Sequence, residues 1–106
     1  MIGIAAVGPF VIVWRYEVAD AARAAFERVY GHDGDWARLF ATAEGFIGTE
    51  LLVGGDGSYI TLDRWRSEAD FEAFQASAGE AYRALDEQCE ALTVREERIG
   101  AFNVAR

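Results

Sequence analysis

A chain of 106 residues with a formal net charge of −8 has the size of one ordinary domain with one core. Its acidic surface repels phosphate backbones and anionic headgroups, so neither nucleic acid nor a membrane is an expected partner. About half the residues are hydrophobic and a quarter charged, as in a soluble globular chain.

In chain order, the opening stretch MIGIAAVGP is apolar but short and has no basic residue, so it does not read as a signal peptide. Phe10 to Val18 is rich in β-branched and aromatic residues and reads as a strand. Its period of two points Phe10, Ile12, Trp14 and Tyr16 one way and Val11, Val13, Arg15 and Glu17 the other. Asp20 offers a helix cap, followed by Ala22, Phe26, Val29 and Tyr30 on one helical face, with Gly31 as the stop. Asp35 offers a second cap. Trp36, Leu39, Phe40 and Ala43 repeat the helical spacing up to Gly45. Two strands are predicted over Ile47–Val53 and Ser58–Trp65, joined at Gly54-Gly55-Asp56-Gly57, a strong hairpin signal. Ser67 and Asp70 form an S-x-x-D capping box. Phe71 and Phe74 face inward from the helix that follows. A helix restart is predicted at Ala78, with Tyr82, Leu85, Cys89 and Leu92 as its buried stripe. The last strand is predicted over Thr93–Asn103.

This order, β-α(α)-β-β-α(α)-β, is the split βαβ arrangement: an α+β, ferredoxin-like domain with a four-stranded antiparallel sheet and helices on one face. A single domain over residues 1–106, with its core at about 10–104, is expected. The face without helices would carry Val11, Val13, Ile60 and Leu62, an apolar patch unusual for a monomer. The expected partner is therefore a second copy of the chain, giving a dimeric α/β barrel.

The cysteine, histidine and lysine counts remove much chemistry. Cys89 is the only cysteine, so no internal disulfide or multi-cysteine metal site can form, and a reducing, cytoplasmic setting is expected. All ten cations are arginine, which rules out a Schiff-base lysine. His32, the only histidine, reads first as a solvated loop residue and second as a base or haem ligand. Asp33 and Asp35 beside it read as caps before they read as metal ligands. The aromatic residues say more. Trp14, Tyr16, Trp36, Phe40, Trp65, Phe71, Phe74 and Tyr82 lie on predicted strands or helix stripes. Individually each reads as core. Together, three tryptophans in so short a chain also fit a flat apolar pocket for a planar aromatic ligand. Arg15, Asp63, Arg64, Arg66 and the run Arg95-Glu96-Glu97-Arg98 lie on or beside strands, where they read as salt bridges or as an arginine orienting an anionic oxygen.

The segments VIVWRYEV, GDWARLFATAEGFIGTELL, YITLDRWRSEADFEAF and ALTVREERIGAF resemble the antibiotic biosynthesis monooxygenase family over about nine-tenths of the chain. The features that carry the resemblance are the aromatic-rich first strand, the Gly45-Phe46-x-Gly48-x-Glu50-Leu51 segment, and Trp65-Arg66-Ser67 leading into a helix with paired phenylalanines. The resemblance implies a homodimer that oxidises a phenolic or polyaromatic small molecule to a quinone with oxygen, without metal or flavin. It implies Trp65 as the pocket tryptophan and Phe71, Phe74 and Tyr82 as lining. Trp14, Tyr16 and Phe40 are expected to bind the same substrate, and Arg15 or Arg66 to stabilise its phenolate. The first strand lacks the asparagine often found there in these oxygenases; the only asparagine is Asn103. The haem-degrading branch uses a helix histidine that the second half of this chain lacks. The alternatives are a haem-degrading monooxygenase, a non-catalytic dimeric ligand-binding or stress-response module, and an isomerase or cyclase using a carboxylate such as Asp63.

Overall fold

Strand β1 (Phe10–Glu17) opens the described part of the computed structural model, which comprises residues 9–105. The apolar stretch 1–8, considered above as a leader, lies outside the described residues. A 3-10 turn (Asp20–Ala22) leads into α1 (Arg23–Tyr30) and then α2 (Asp35–Phe40). Strands β2 (Phe46–Val53) and β3 (Tyr59–Trp65) form the hairpin. Helix α3 (Glu68–Cys89) follows, then a 3-10 turn (Glu90–Leu92) and β4 (Arg95–Asn103). The sheet order is β2-β3-β1-β4 with every neighbouring pair antiparallel. This is the ferredoxin-like α+β arrangement expected from the element order.

The hairpin closes because Gly57 adopts φ +86°, a region open to glycine at little cost, while the Asp56 carboxylate accepts from the backbone N–H and the hydroxyl of Ser58 (3.0 and 2.7 Å). Between α1 and α2 the chain turns so tightly that a Cβ on Gly34 would lie 2.4 Å from the carbonyl oxygens of Arg28 and Val29. The helix caps differ in part from expectation. Asp20 caps nothing and sits in the first turn of the 3-10 segment. Asp35 is the first residue of α2, where it pairs with Arg38 (2.9 Å). Ser67 does cap α3: its Oγ accepts from the Asp70 N–H at 3.1 Å. Ser67→Ala is therefore expected to lower stability by about 1 kcal/mol in urea unfolding.

Helix α3 is one uninterrupted helix of 22 residues, not two pieces restarting at Ala78. The small residues around Gly79 weaken it only slightly, since an internal glycine costs about 1 kcal/mol against alanine. Burial of Phe74 and Cys89 on either side carries the helix through.

The strand alternation decides the core. Phe10, Ile12 and Tyr16 of β1 and Tyr59, Thr61, Asp63 and Trp65 of β3 are buried under the helices, which contribute Phe26, Tyr30, Trp36, Phe40, Phe74 and Cys89. The largest fully buried side chains are Trp65, Tyr59, Phe26 and Phe74, each worth ~2–3 kcal/mol of gross transfer free energy. Among the described residues nothing comparable covers the opposite face. Val11, Val13, Ile60 and Leu62 are only half-buried there, and Leu52 and Phe102 are 42% and 51% exposed.

Candidate active-site cleft

Along β3, an inward-facing row of large apolar residues is interrupted by Thr61 and Asp63. A charged side chain at such a position is costly unless it has a partner or a task. Asp63 has one partner: the Thr49 hydroxyl, on the neighbouring strand β2, donates to Oδ1 at 2.6 Å. Oδ2 takes no hydrogen bond among the described residues. Asp63 is 9% exposed. Burial pushes its pKa up to about 6, against the opposing effect of the Thr49 hydrogen bond.

Asp63 opens into a cavity of about 50 Å³ between the sheet and the helices. Trp14, Tyr16, Thr61 and Thr49 form its sheet wall, Tyr30, Trp36 and Phe40 come from α1 and α2, and Tyr82 and Asp86 from α3; Glu96 of β4 closes it. The rings lie against one another: Tyr16–Tyr30 centroids are 5.1 Å apart, Trp36–Tyr82 5.0 Å and Trp14–Tyr16 6.4 Å. Through Trp14, Phe40, Asp63 and Tyr82 the cavity shares its walls with a wider cleft of about 610 Å³ beside α3, which reaches Phe71, Gln75 and Arg98. That size lies within the ~300–1,000 Å³ of small-molecule sites.

The phenols in the cleft stay neutral. Burial raises the pKa of Tyr16 above its ordinary value, and likewise those of Tyr30 and Tyr82. The Tyr16 hydroxyl lies 3.3 Å from Thr61 Oγ1. The Glu96 carboxyl is also raised, first by desolvation and then by the charge of Asp86. The indole Nε1 atoms of Trp36 and Trp65 are buried without a hydrogen-bond partner among the described residues. Among those residues no three His, Cys, Asp or Glu side chains converge as metal ligands do.

Of the residues expected to form the site, Trp14, Tyr16, Phe40 and Tyr82 come together at the inner cavity, and Phe71 lines the wider cleft. Trp65 lines neither. It is 0% exposed, enclosed by Phe40, Phe46, Phe71 and Phe74 with centroids 5.1–5.6 Å away. Phe74 lies in the same layer, and Phe40 and Phe71, which pack on Trp65, are the members of it that line the cleft. Neither expected arginine reaches the cleft. Arg15, on the outward face of β1, pairs with Asp56 (3.3 Å) and Glu17 (3.7 Å). Arg66, past the end of β3, is 59% exposed and bound to Asp70 at 2.7 Å. Within the single chain both guanidinium groups are therefore held in ion pairs outside the cleft. His32 is exposed in the turn after α1, beside a shallow groove that also contains Glu27 and Arg64. Asn103, exposed on β4, pairs with Phe10 at the sheet edge.

Tyr30, Thr49, Thr61, Asp86 and Glu96 are cleft residues that sequence reasoning did not assign to a site, whereas Trp36 was among the aromatic residues read as a possible pocket. For Thr61 the signal was present, in a polar residue at an inward position of an apolar strand. Asp86 follows Tyr82 by four residues and so shares its helix face.

Comparisons with known proteins agree with this architecture. The model of the antibiotic biosynthesis monooxygenase family matches residues 9–88. No protein among curated sequences matches the chain significantly. Among solved structures, SnoaB from Streptomyces nogalater, a cofactor-independent oxygenase crystallised as an asparagine-to-alanine variant, is similar at 28% identity, with TM-score 0.67, over 93% of this chain and 95% of that one. Rv0793 from Mycobacterium tuberculosis shares the fold at 19% identity and TM-score 0.63, over 92% of this chain and 94% of that one. MhuD, crystallised as a variant with two manganese protoporphyrin IX molecules per active site, shares it at 24% identity and TM-score 0.67, over 90% and 93% of the two chains.

Proposed function

Because the chain belongs to the antibiotic biosynthesis monooxygenase family, we propose that it is a cofactor-independent monooxygenase that converts a phenolic or polyaromatic small molecule to a quinone with O2. The observation that carries this reading is Asp63: a buried carboxylate with one free oxygen, poised near neutrality, in a cleft walled by aromatic rings. The similarity to an oxygenase described as cofactor-independent supports it.

In this reading the aromatic walls hold a planar substrate and exclude water. Asp63 Oδ2 takes a proton from the activated C–H or phenol O–H, since a base with a pKa near 6 is largely ionised at neutral pH yet still basic enough to accept it. The resulting anion gives one electron to O2, and the two radicals recombine as a peroxide anion, which is reprotonated from Asp63. Loss of water then leaves the carbonyl. A methylene and O2 become a carbonyl and water, with no external reductant. The neutral hydroxyls of Tyr16 and Tyr82 are the donors available to the developing oxyanion. The test is mass spectrometry of the product formed under 18O2. One labelled oxygen per quinone is expected, and product lacking the label would refute oxygenase chemistry.

The same reading makes the working unit a homodimer joined through the uncovered sheet face. That face presents Val11, Val13, Leu52, Ile60, Leu62 and Phe102, a contiguous apolar surface of the kind that marks an interface. Leu62→Asp places a charge at its centre and is expected to convert a dimer to a monomer in sedimentation analysis. A parent protein that sediments as a monomer at micromolar concentration would refute the dimer.

A further inference from the structure

The charge of the cleft is more one-sided than that of the chain. Overall the chain holds 18 acidic against 10 basic residues. The inner cavity holds Asp63, Asp86 and Glu96 and no basic side chain. The wider cleft adds Glu68 and Glu72 against a single arginine, Arg98. The two together carry five carboxylates to one guanidinium on one concave surface.

Two further features mark this surface as a binding site rather than an acidic patch. The carboxylates stand among five tryptophan and tyrosine rings that line the same cavity, and the negative faces of such rings attract cations. In addition, Asp63, nine-tenths buried, keeps its Oδ2 unpaired while lining the cavity. A buried carboxylate with no counter-charge beside it, and with two more acidic groups at the same wall, is costly, and a bound cation offsets that cost. Anionic substrates meet the opposite: repulsion from every carboxylate and no guanidinium at the inner wall.

Building on the reading of this cleft as the substrate site, we infer that its ligand is an organic cation, an aromatic molecule bearing a protonated amine, with the ring held by the aromatic walls and the ammonium group by Asp86 and Glu96. The inner-wall carboxylates thus select among phenolic substrates by charge, while Asp63 remains the base.

The experiment is calorimetric titration of the full chain with three matched probes, 2-naphthylmethylammonium, 2-naphthol and 2-naphthoate, at low and high salt. The ammonium probe is expected to bind about tenfold more tightly than the naphthol, with naphthoate weakest and the preference shrinking as salt rises. The double substitution Asp86→Asn and Glu96→Gln is expected to abolish the preference. Both positions are exposed, so the fold should persist. Glu97→Gln, on the opposite face of β4, is expected to leave the preference intact. Equal affinities, failure of the ammonium probe to bind, or a preference that survives the double substitution would overturn the inference. Oxygen uptake with neutral phenols and no cation preference would overturn it while leaving the oxygenase reading standing. Cation preference without oxygen uptake by any amine-bearing phenol would do the reverse.

Discussion

Asp63→Asn is expected to reduce turnover by at least about 100-fold while leaving the protein as stable as, or more stable than, the parent at neutral pH. The first part follows from losing a general base, typically worth ~10²–10⁴ in rate. The second follows from linkage. In the folded protein burial raises the Asp63 pKa from 3.8 to about 6, so the folded state holds this proton more tightly than the unfolded chain does. Its contribution favours folding at low pH and is lost as pH rises from about 4 through about 6. Above pH 6 the buried anion costs stability, on the order of 2–3 kcal/mol for a shift of this size. The asparagine carries no charge and can still accept the Thr49 hydroxyl. Urea unfolding should therefore show the variant ahead by up to about 3 kcal/mol at pH 8, with the gap closing towards pH 4. A variant that turned over normally, or whose stability relative to the parent did not change with pH, would contradict the role given to Asp63. Such an exchange of stability for activity is common where a charged group is buried for function.

Trp65→Ala is expected to cost about 3–5 kcal/mol of stability, the usual range for removing a large aromatic residue from a packed core. The ring is fully buried against Phe40, Phe46, Phe71 and Phe74, and its removal leaves a cavity those rings can only partly fill. For a domain of this size such a loss is a large part of the total stability. Loss of activity in Trp65→Ala would therefore follow unfolding and should track the circular dichroism signal. Trp65→Phe separates packing from chemistry. It keeps an aromatic ring and removes an indole Nε1 that is buried without a partner, so near-parental turnover is expected. If Trp65→Phe folds normally but loses activity, the indole acts on the substrate after all.

The period-two alternation of β1 and β3 was legible because apolar and aromatic residues occupy alternate positions on strands covered on one face. It also placed Arg15 beside Val11 and Val13, on the side away from Trp14, where it is found. The continuous α3 was not legible. In Gln75-Ala76-Ser77-Ala78-Gly79, Ser77 and Gly79 suggest a break, but Gln75, Ala76 and Ala78 are good helix formers, and burial of Phe74 and Cys89 on either side holds the helix through. The inner wall contributed by β4 was hidden for a different reason. The register on β1 slips between Val13 and Trp14, so Val13 faces Gly100 while Trp14 faces Arg98. Ile99 is the extra residue, and beyond it the inward positions change parity. Glu96 and Arg98 thereby join the same face as Ala101 and Asn103, which no alternation pattern in the run Arg95-Glu96-Glu97-Arg98 foretells. Asp63 could be placed on the inward face from its spacing to Trp65. Its partner Thr49 depends on the pairing of β2 with β3, which is also shifted by a bulge, between Phe46 and Gly48.

The central claim is that a buried carboxylate in an aromatic cleft activates a phenolic substrate towards oxygen. The most direct measurement is oxygen uptake by the purified full chain with anthrones, hydroquinones and amine-bearing phenols, with haem in parallel, followed from pH 4.5 to 8. The account expects uptake matched by quinone formation, with kcat/KM rising through a midpoint near pH 6 that disappears in Asp63→Asn. No uptake with any aromatic substrate at any pH, uptake with haem alone, or a profile unchanged by Asp63→Asn would contradict it.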